Sequence, residues 1–157
     1  MKRTVVVGVG NSVRSDDGVG LLVVQGVQKL ITQGEAEVVE LMAGGLRLAE
    51  AIVGFDRAII VDAMTTGEHP PGSVLNVGLG QLGPCRSVSC VHDANLPTAL
   101  DLFRRAGEKM PESLSIVGIE TLDTDTLCEE LTAPVAKAVP IAVEAVLSLI
   151  REAGASG

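Results

Sequence analysis

Four side chains in this sequence have the type and placement for chemistry on a cation. Asp16 and Asp17 are adjacent in Gly8-Val9-Gly10-Asn11-Ser12-Val13-Arg14-Ser15-Asp16-Asp17-Gly18-Val19-Gly20, Asp62 closes the apolar run Arg57-Ala58-Ile59-Ile60-Val61, and His92 follows Ser89-Cys90-Val91. Two carboxylates and one imidazole, as in Asp17, Asp62 and His92, bind a borderline divalent ion such as nickel or zinc and leave positions open for other ligands. Each residue also has an ordinary explanation. Asp is a preferred N-cap, so one of the adjacent pair is expected to cap the helix starting at Gly18 and the other to function; sequence order does not say which. Asp62 suits a turn after a strand, and His92 a helix start. Their weight comes from the fold, which must bring all three to one rim.

The elements that would do so follow from periodicity. Residues 5–9 are too apolar for a half-exposed strand and fit one covered on both faces. From Val19 the period changes, and Val19, Leu22, Val23, Gly26, Val27 and Leu30 share one helical face, predicting a helix over about 18–32. Strands are expected at 37–42, 57–62, 73–77 and 113–119, the third of these at an edge because Pro70-Pro71-Gly72 precedes it. Leu46, Ala49, Ile52 and Val53 predict a short helix. Leu96, Ala99, Leu100, Phe103 and Ala106 predict another, following His92, and a last one runs from a Thr132 N-cap to about Glu152, with Pro140 expected to kink it. The segment 78–91, rich in glycine, reads as a long functional loop, and 120–131 as an acidic, solvated one.

Strands alternating with helices mean a three-layer αβα sandwich with a mostly parallel, roughly five-stranded sheet, in a single domain over 1–157. Ligands of such folds collect at the carboxyl ends of the strands. Asp16 and Asp17 follow the first strand there, Asp62 ends the third, and His92 can return to the same rim. The other histidine, His69, lies in the proline turn and is expected to be merely exposed.

Several function classes are disfavoured. A dinucleotide fingerprint needs a third glycine where Val13 stands, and two carboxylates repel a pyrophosphate. No Gly-Lys-Ser/Thr completes a P-loop. The net charge is -8, with neither Trp nor Tyr, so neither a basic nucleic-acid footprint nor base-stacking platforms are present. Cys85, Cys90 and Cys128 form no paired CxxC, which implies neither a disulfide framework nor a zinc ribbon. No stretch is expected to reach membrane-spanning length, and Met1-Lys2-Arg3 leads straight into a strand, which together predict a cytoplasmic protein with no membrane partner. HExxH and GxSxG are both absent.

The combined pattern resembles the maturation proteases of nickel-iron hydrogenases. The residues that carry the resemblance are Gly8-Val9-Gly10-Asn11, Asp16-Asp17-Gly18-Val19-Gly20, Ile59-Ile60-Val61-Asp62-Ala63, Pro71-Gly72, and Ser89-Cys90-Val91-His92 ahead of Leu96 and Leu100. The resemblance spans nearly the whole chain. It implies a phosphorylase/hydrolase-like sandwich and a nickel-dependent endopeptidase, of aspartyl-protease type, that trims the C-terminal extension of a hydrogenase large-subunit precursor after nickel insertion. It places Asp17, Asp62 and His92 on the metal. For the cleavage step either Asp17 or Asp62 acts as general base or the nickel polarises the carbonyl, and the sequence does not choose. The nickel is expected to be carried by the substrate, with zinc or cadmium able to substitute in a crystal, and a monomer is the default state. Two departures stand out. Asp17 occupies a position often held by Glu, and Met42-Ala43-Gly44-Gly45 lacks the acidic residue that many relatives carry before the glycines. A non-catalytic nickel-sensing or chaperone module and a nucleotide-handling enzyme are the alternatives. A nucleophilic Cys85 or Cys90 is the weaker mechanistic one.

Overall fold

The computed structural model describes residues 2–42, 44–77 and 96–155. Five strands, β1 (Thr4–Val9), β2 (Glu37–Leu41), β3 (Arg57–Met64), β4 (Val74–Val77) and β5 (Ser113–Glu120), form one sheet in the order β2-β1-β3-β5-β4. Neighbours are parallel except β4, which runs antiparallel to β5 at the edge, as the proline-rich approach predicts. Helices α1 (Val19–Leu30) and α4 (Ala133–Ala155) pack on one face, and α2 (Gly45–Ala51) and α3 (Leu96–Arg105) on the other. This is the αβα sandwich expected from the alternation of patterns.

The layers follow from side-chain alternation along the central strands. Every residue of β1 is buried. Val6 joins Ile59, Val19, Val23 and Val24 of α1, and Ala142 and Val143 of α4, whereas Val5, Val7 and Val9 join Leu48, Ile52, Ile60 and Leu100 on the other face. A strand that feeds two cores has no polar side, and fully burying each Val is worth roughly 1.5–3 kcal/mol. β3 divides in the same way, with Ile59, Val61 and Ala63 on the α1/α4 face and Ala58 and Ile60 on the α2/α3 face. Alternation therefore sends Asp62 to the α2/α3 face.

Two expectations need correcting. β3 does not stop at Asp62. It continues to Met64 because β5 offers a partner all the way, pairing Asp62 with Gly118 and Met64 with Glu120. Residues 133–152 are long and apolar enough to cross a membrane, with a mean hydropathy of 1.7, contrary to the reading that no stretch is. In the fold that helix packs Val135, Ala138, Ala142, Val146 and Leu147 into the core, so its apolar stripe is used by the sheet and α1. The helix is unbroken through Pro140. His92, Cys85, Cys90 and the glycine-rich loop lie outside the described residues.

The order β2-β1-β3 makes a switch point. The chain leaves β1 for a neighbour on one side and returns to pair on the other, which opens a crevice at the carboxyl ends of β1 and β3. Helix α1 closes on this crevice without side chains between. A Cβ on Gly20 would lie 2.5 Å from the Val61 carbonyl oxygen and 2.6 Å from that of Val9, and one on Gly8 would lie 2.6 Å from the Gly20 carbonyl oxygen. Because these obstacles are backbone, they cannot rotate away. Gly20→Ala is expected to destabilise the protein by about 1–3 kcal/mol or more, read as a lower urea midpoint with unchanged slope.

Candidate active site

The turn between β1 and α1 is built around Asn11. Its side-chain Oδ1 accepts from the Val13 N–H at 3.1 Å, its carbonyl accepts from the Arg14 N–H at 3.2 Å, and its own N–H donates to Asp17 Oδ2 at 3.0 Å. Gly10 lets the two ends of the turn meet, since a Cβ there would lie 2.1 Å from the Asp17 carbonyl oxygen. A short 3-10 turn, Ser15–Gly18, then leads into α1 with all four residues buried. Ser15 takes a φ of +50°, a conformation that costs a non-glycine residue on the order of 1–3 kcal/mol.

Neither aspartate caps α1. Its N-cap is Gly18, with no side-chain hydrogen bond, which corrects the expectation drawn from the sequence. Asp16 serves a different helix. Its Oδ1 accepts from the Thr132 N–H at 2.7 Å, and its Oδ2 from the Thr132 hydroxyl at 2.8 Å, the Leu122 N–H at 2.9 Å and the Asp123 N–H at 3.0 Å. The carboxylate thus sits at the start of α4, where the helix dipole favours negative charge. The acidic segment 121–132 is accordingly fastened to the turn rather than simply solvated.

Asp17 is fully buried and differently served. Beyond the Asn11 contact, its Oδ1 accepts no hydrogen bond among the described residues. Burial pushes its carboxyl above the ordinary carboxylate value, opposed by the Asn11 N–H and by the Arg14 charge. Arg14 itself reaches out to Asp125 Oδ1 at 3.6 Å. Asp62, 3% exposed, stands in β3 one residue past the Val61 carbonyl that crowds Gly20. The 3-10 turn packs against β3. Asp17 thus follows β1 in a turn that touches β3, and Asp62 lies two residues before the end of β3. A buried carboxyl oxygen without a donor fits a cation once ionised, and this donor set fits a divalent one. Among the described residues no three His, Cys, Asp or Glu side chains gather into a metal-binding group, and the third expected ligand, His92, lies outside them.

Sequence reasoning missed Asn11 as the residue that orients Asp17, although an Asn two positions before an N–H is the signal of an Asx turn. It also missed Glu120. That side chain, 1% exposed, accepts from the N–H groups of Thr66 at 3.0 Å and Gly67 at 3.3 Å and from the Thr66 hydroxyl, and so pins the loop after β3. Its signal was its place at the end of the buried strand pattern rather than in the loop. His69 is exposed, as expected.

Fold and site together define an αβα domain with a buried carboxylate centre at the head of its sheet. A model of the HycI hydrogenase maturation protease family matches residues 22–149. The chain is 28% identical over 157 residues to the hydrogenase 2 maturation protease of Escherichia coli (strain K12), covering 97% of this chain and 93% of that protein. It is 26% identical over 155 residues to the hydrogenase expression/formation protein HupD of Rhizobium leguminosarum bv. viciae, covering 97% and 76%. Its fold matches that of the hydrogenase maturating endopeptidase HybD from E. coli with a TM-score of 0.78 at 24% identity, over 97% of this chain and 94% of that one. The chain belongs to the hydrogenase maturation protease family and is an endopeptidase. The chaperone and nucleotide-enzyme alternatives are set aside.

The Asp17 environment has a stability consequence whose sign is fixed. Because its folded-state pKa is raised, the folded chain holds this proton more tightly than the unfolded one. The resulting stabilisation is complete below the ordinary aspartate value of ~3.9 and is lost as pH rises through the raised value. Above that raised value the fold carries a buried charge. Asp17→Asn keeps an acceptor for the Asn11 N–H and removes that charge. At pH values above the raised pKa its melting temperature is expected to exceed that of the native protein by about 2–4 °C, with the gap closing as pH falls towards ~4 in calorimetric scans.

Proposed function

We propose that this endopeptidase removes the C-terminal extension of a nickel-iron hydrogenase large-subunit precursor after nickel has been inserted. The nickel is part of the substrate. Asp17, Asp62 and His92 complete its coordination, so contact with the metal tests whether the precursor is mature and sets the scissile peptide beside the carboxylates. The observation that carries this reading is Asp17 Oδ1, a carboxyl oxygen buried beside the switch point with no donor among the described residues.

Cleavage requires an activated water and stabilisation of the oxyanion that develops on the attacked carbonyl. The two aspartates are the candidate bases. Asp17 has its proton affinity raised by burial, the direction that suits a general base. Asp62, fixed inside a strand that pairs with β5 at Gly118, is suited to hold the metal in place. Nothing in this scheme requires a protein nucleophile, so Cys90 has no chemical role in it.

The test is a processing assay on purified precursor with and without nickel, read by mass. Loss of the C-terminal extension is expected only from the nickel-loaded precursor. Asp17→Asn, Asp62→Asn and His92→Ala are each expected to slow processing by roughly 100-fold or more, the scale set by displacing a positioned reacting group, while Cys90→Ala changes it little. Equal cleavage of nickel-free precursor would reject nickel as the recognised feature.

A further inference from the structure

We infer that Asp16 is a positioning residue of this endopeptidase, latching the segment 121–132 against the turn so that Asp17 keeps its place. This inference rests on Asp17 acting at the site, as proposed above. Every polar contact of the Asp16 carboxylate is to a donor from that segment: the N–H groups of Leu122, Asp123 and Thr132 and the Thr132 hydroxyl. The segment answers with its own carbonyls. Ser15 N–H donates to the Cys128 carbonyl at 2.8 Å, Ser15 Oγ to that of Glu130 at 3.1 Å, and Asp16 N–H to that of Asp123 at 3.0 Å. Arg14 and Cys128 form an isolated parallel bridge beside them.

These contacts fall on the residue whose backbone is strained. Ser15 at a φ of +50° relaxes to negative φ unless something holds it; the Asp17 N–H closes the turn over it onto the Arg14 carbonyl at 3.1 Å, and both hydrogen-bond partners of Ser15 itself lie in the latched segment. Relaxation at Ser15 rotates the peptides that follow, and Asp17 is two residues on. The other side of Asp17 is fixed independently, by the Asn11 N–H and by the close approach of Gly10. Asp17 is thus clamped between a tight backbone contact at Gly10 and a latch to which the Asp16 carboxylate contributes four of the hydrogen bonds. In Asp16→Asn the amide NH2 must face at least one N–H donor, so the latch opens although volume is conserved.

The test compares steady-state processing of nickel-loaded precursor by Asp16→Asn, Thr132→Val, the double variant and, in parallel, Asp17→Asn, at a temperature where unfolding curves show each fully folded. Asp16→Asn is expected to lower kcat roughly 10- to 100-fold with KM nearly unchanged, because the reacting group is misplaced while the docking surface is intact. Thr132→Val, which removes only the hydroxyl, is expected to give the same signature at smaller size and to carry the test if Asp16→Asn does not fold. The double variant should be no slower than Asp16→Asn, since both act through one latch. Native kcat in folded Asp16→Asn, or in Thr132→Val where only that variant folds, overturns the inference, as does additivity in the double variant. Native activity in Asp17→Asn instead overturns the reading of the site on which it rests.

Discussion

The head of this sheet depends on how closely its backbone can approach itself. Gly10 against the Asp17 carbonyl and Gly20 against the Val9 and Val61 carbonyls leave no room for a methyl group. That closeness seats the 3-10 turn directly on the ends of β1 and β3, which shuts water out and buries Asp17. A carboxylate buried in this way is unfavourable by itself and raises its own pKa. It persists because two continuous cores, one on each face of the sheet, stabilise the strands beneath it. The site is a local conflict tolerated by a well-packed scaffold.

Within this frame three carboxylates that look alike in the sequence have different tasks, and hydrogen-bond saturation separates them. Asp16 accepts from Leu122, Asp123 and Thr132 with both oxygens engaged. Glu120 accepts from Thr66 and Gly67 with both of its own. Such groups are satisfied and act as fastenings, one for the segment before α4 and one for the loop after β3. Asp17 has one oxygen served by Asn11 and the other served by nothing among the described residues. On the proposed reading the reactive oxygen is the unsatisfied one, and the fastenings hold the walls around it.

The architecture was legible because its signals are periodic. Unbroken apolar runs marked β1 and β3 as central, a proline approach marked β4 as an edge, and the change of period at Val19 marked the start of α1 to within a residue. The placement of Asp17 and Asp62 at one rim followed from the rule for parallel sheets and needed no side-chain detail. What was not legible depends on contacts distant in sequence. Asp16 meets Thr132 across 116 positions, and no local pattern says that an Asp beside one helix caps another. Glu120 was assigned to its loop because an acidic residue ending an apolar strand looks solvated until the Thr66 donors are seen. The strand β3 ran past Asp62 for a similar reason, since only the length of β5 decides where pairing stops.

The same geometry bears on why a protease of this kind lacks both HExxH and GxSxG. Among the described residues no donor serves the Asp17 Oδ1, which leaves that oxygen open to a ligand. Here the nearby cation does not close it. Arg14 opposes the rise in the Asp17 pKa through space, yet its guanidinium is turned outward to the exposed Asp125. The Asn11 N–H fixes one oxygen and thereby aims the other. A buried anion kept short of partners in this manner gains most from a ligand that brings positive charge with it, and gains little from one that does not. On the proposed reading that asymmetry is the selectivity: a precursor carrying its metal relieves the conflict at Asp17, and one without it leaves the carboxylate as costly as before.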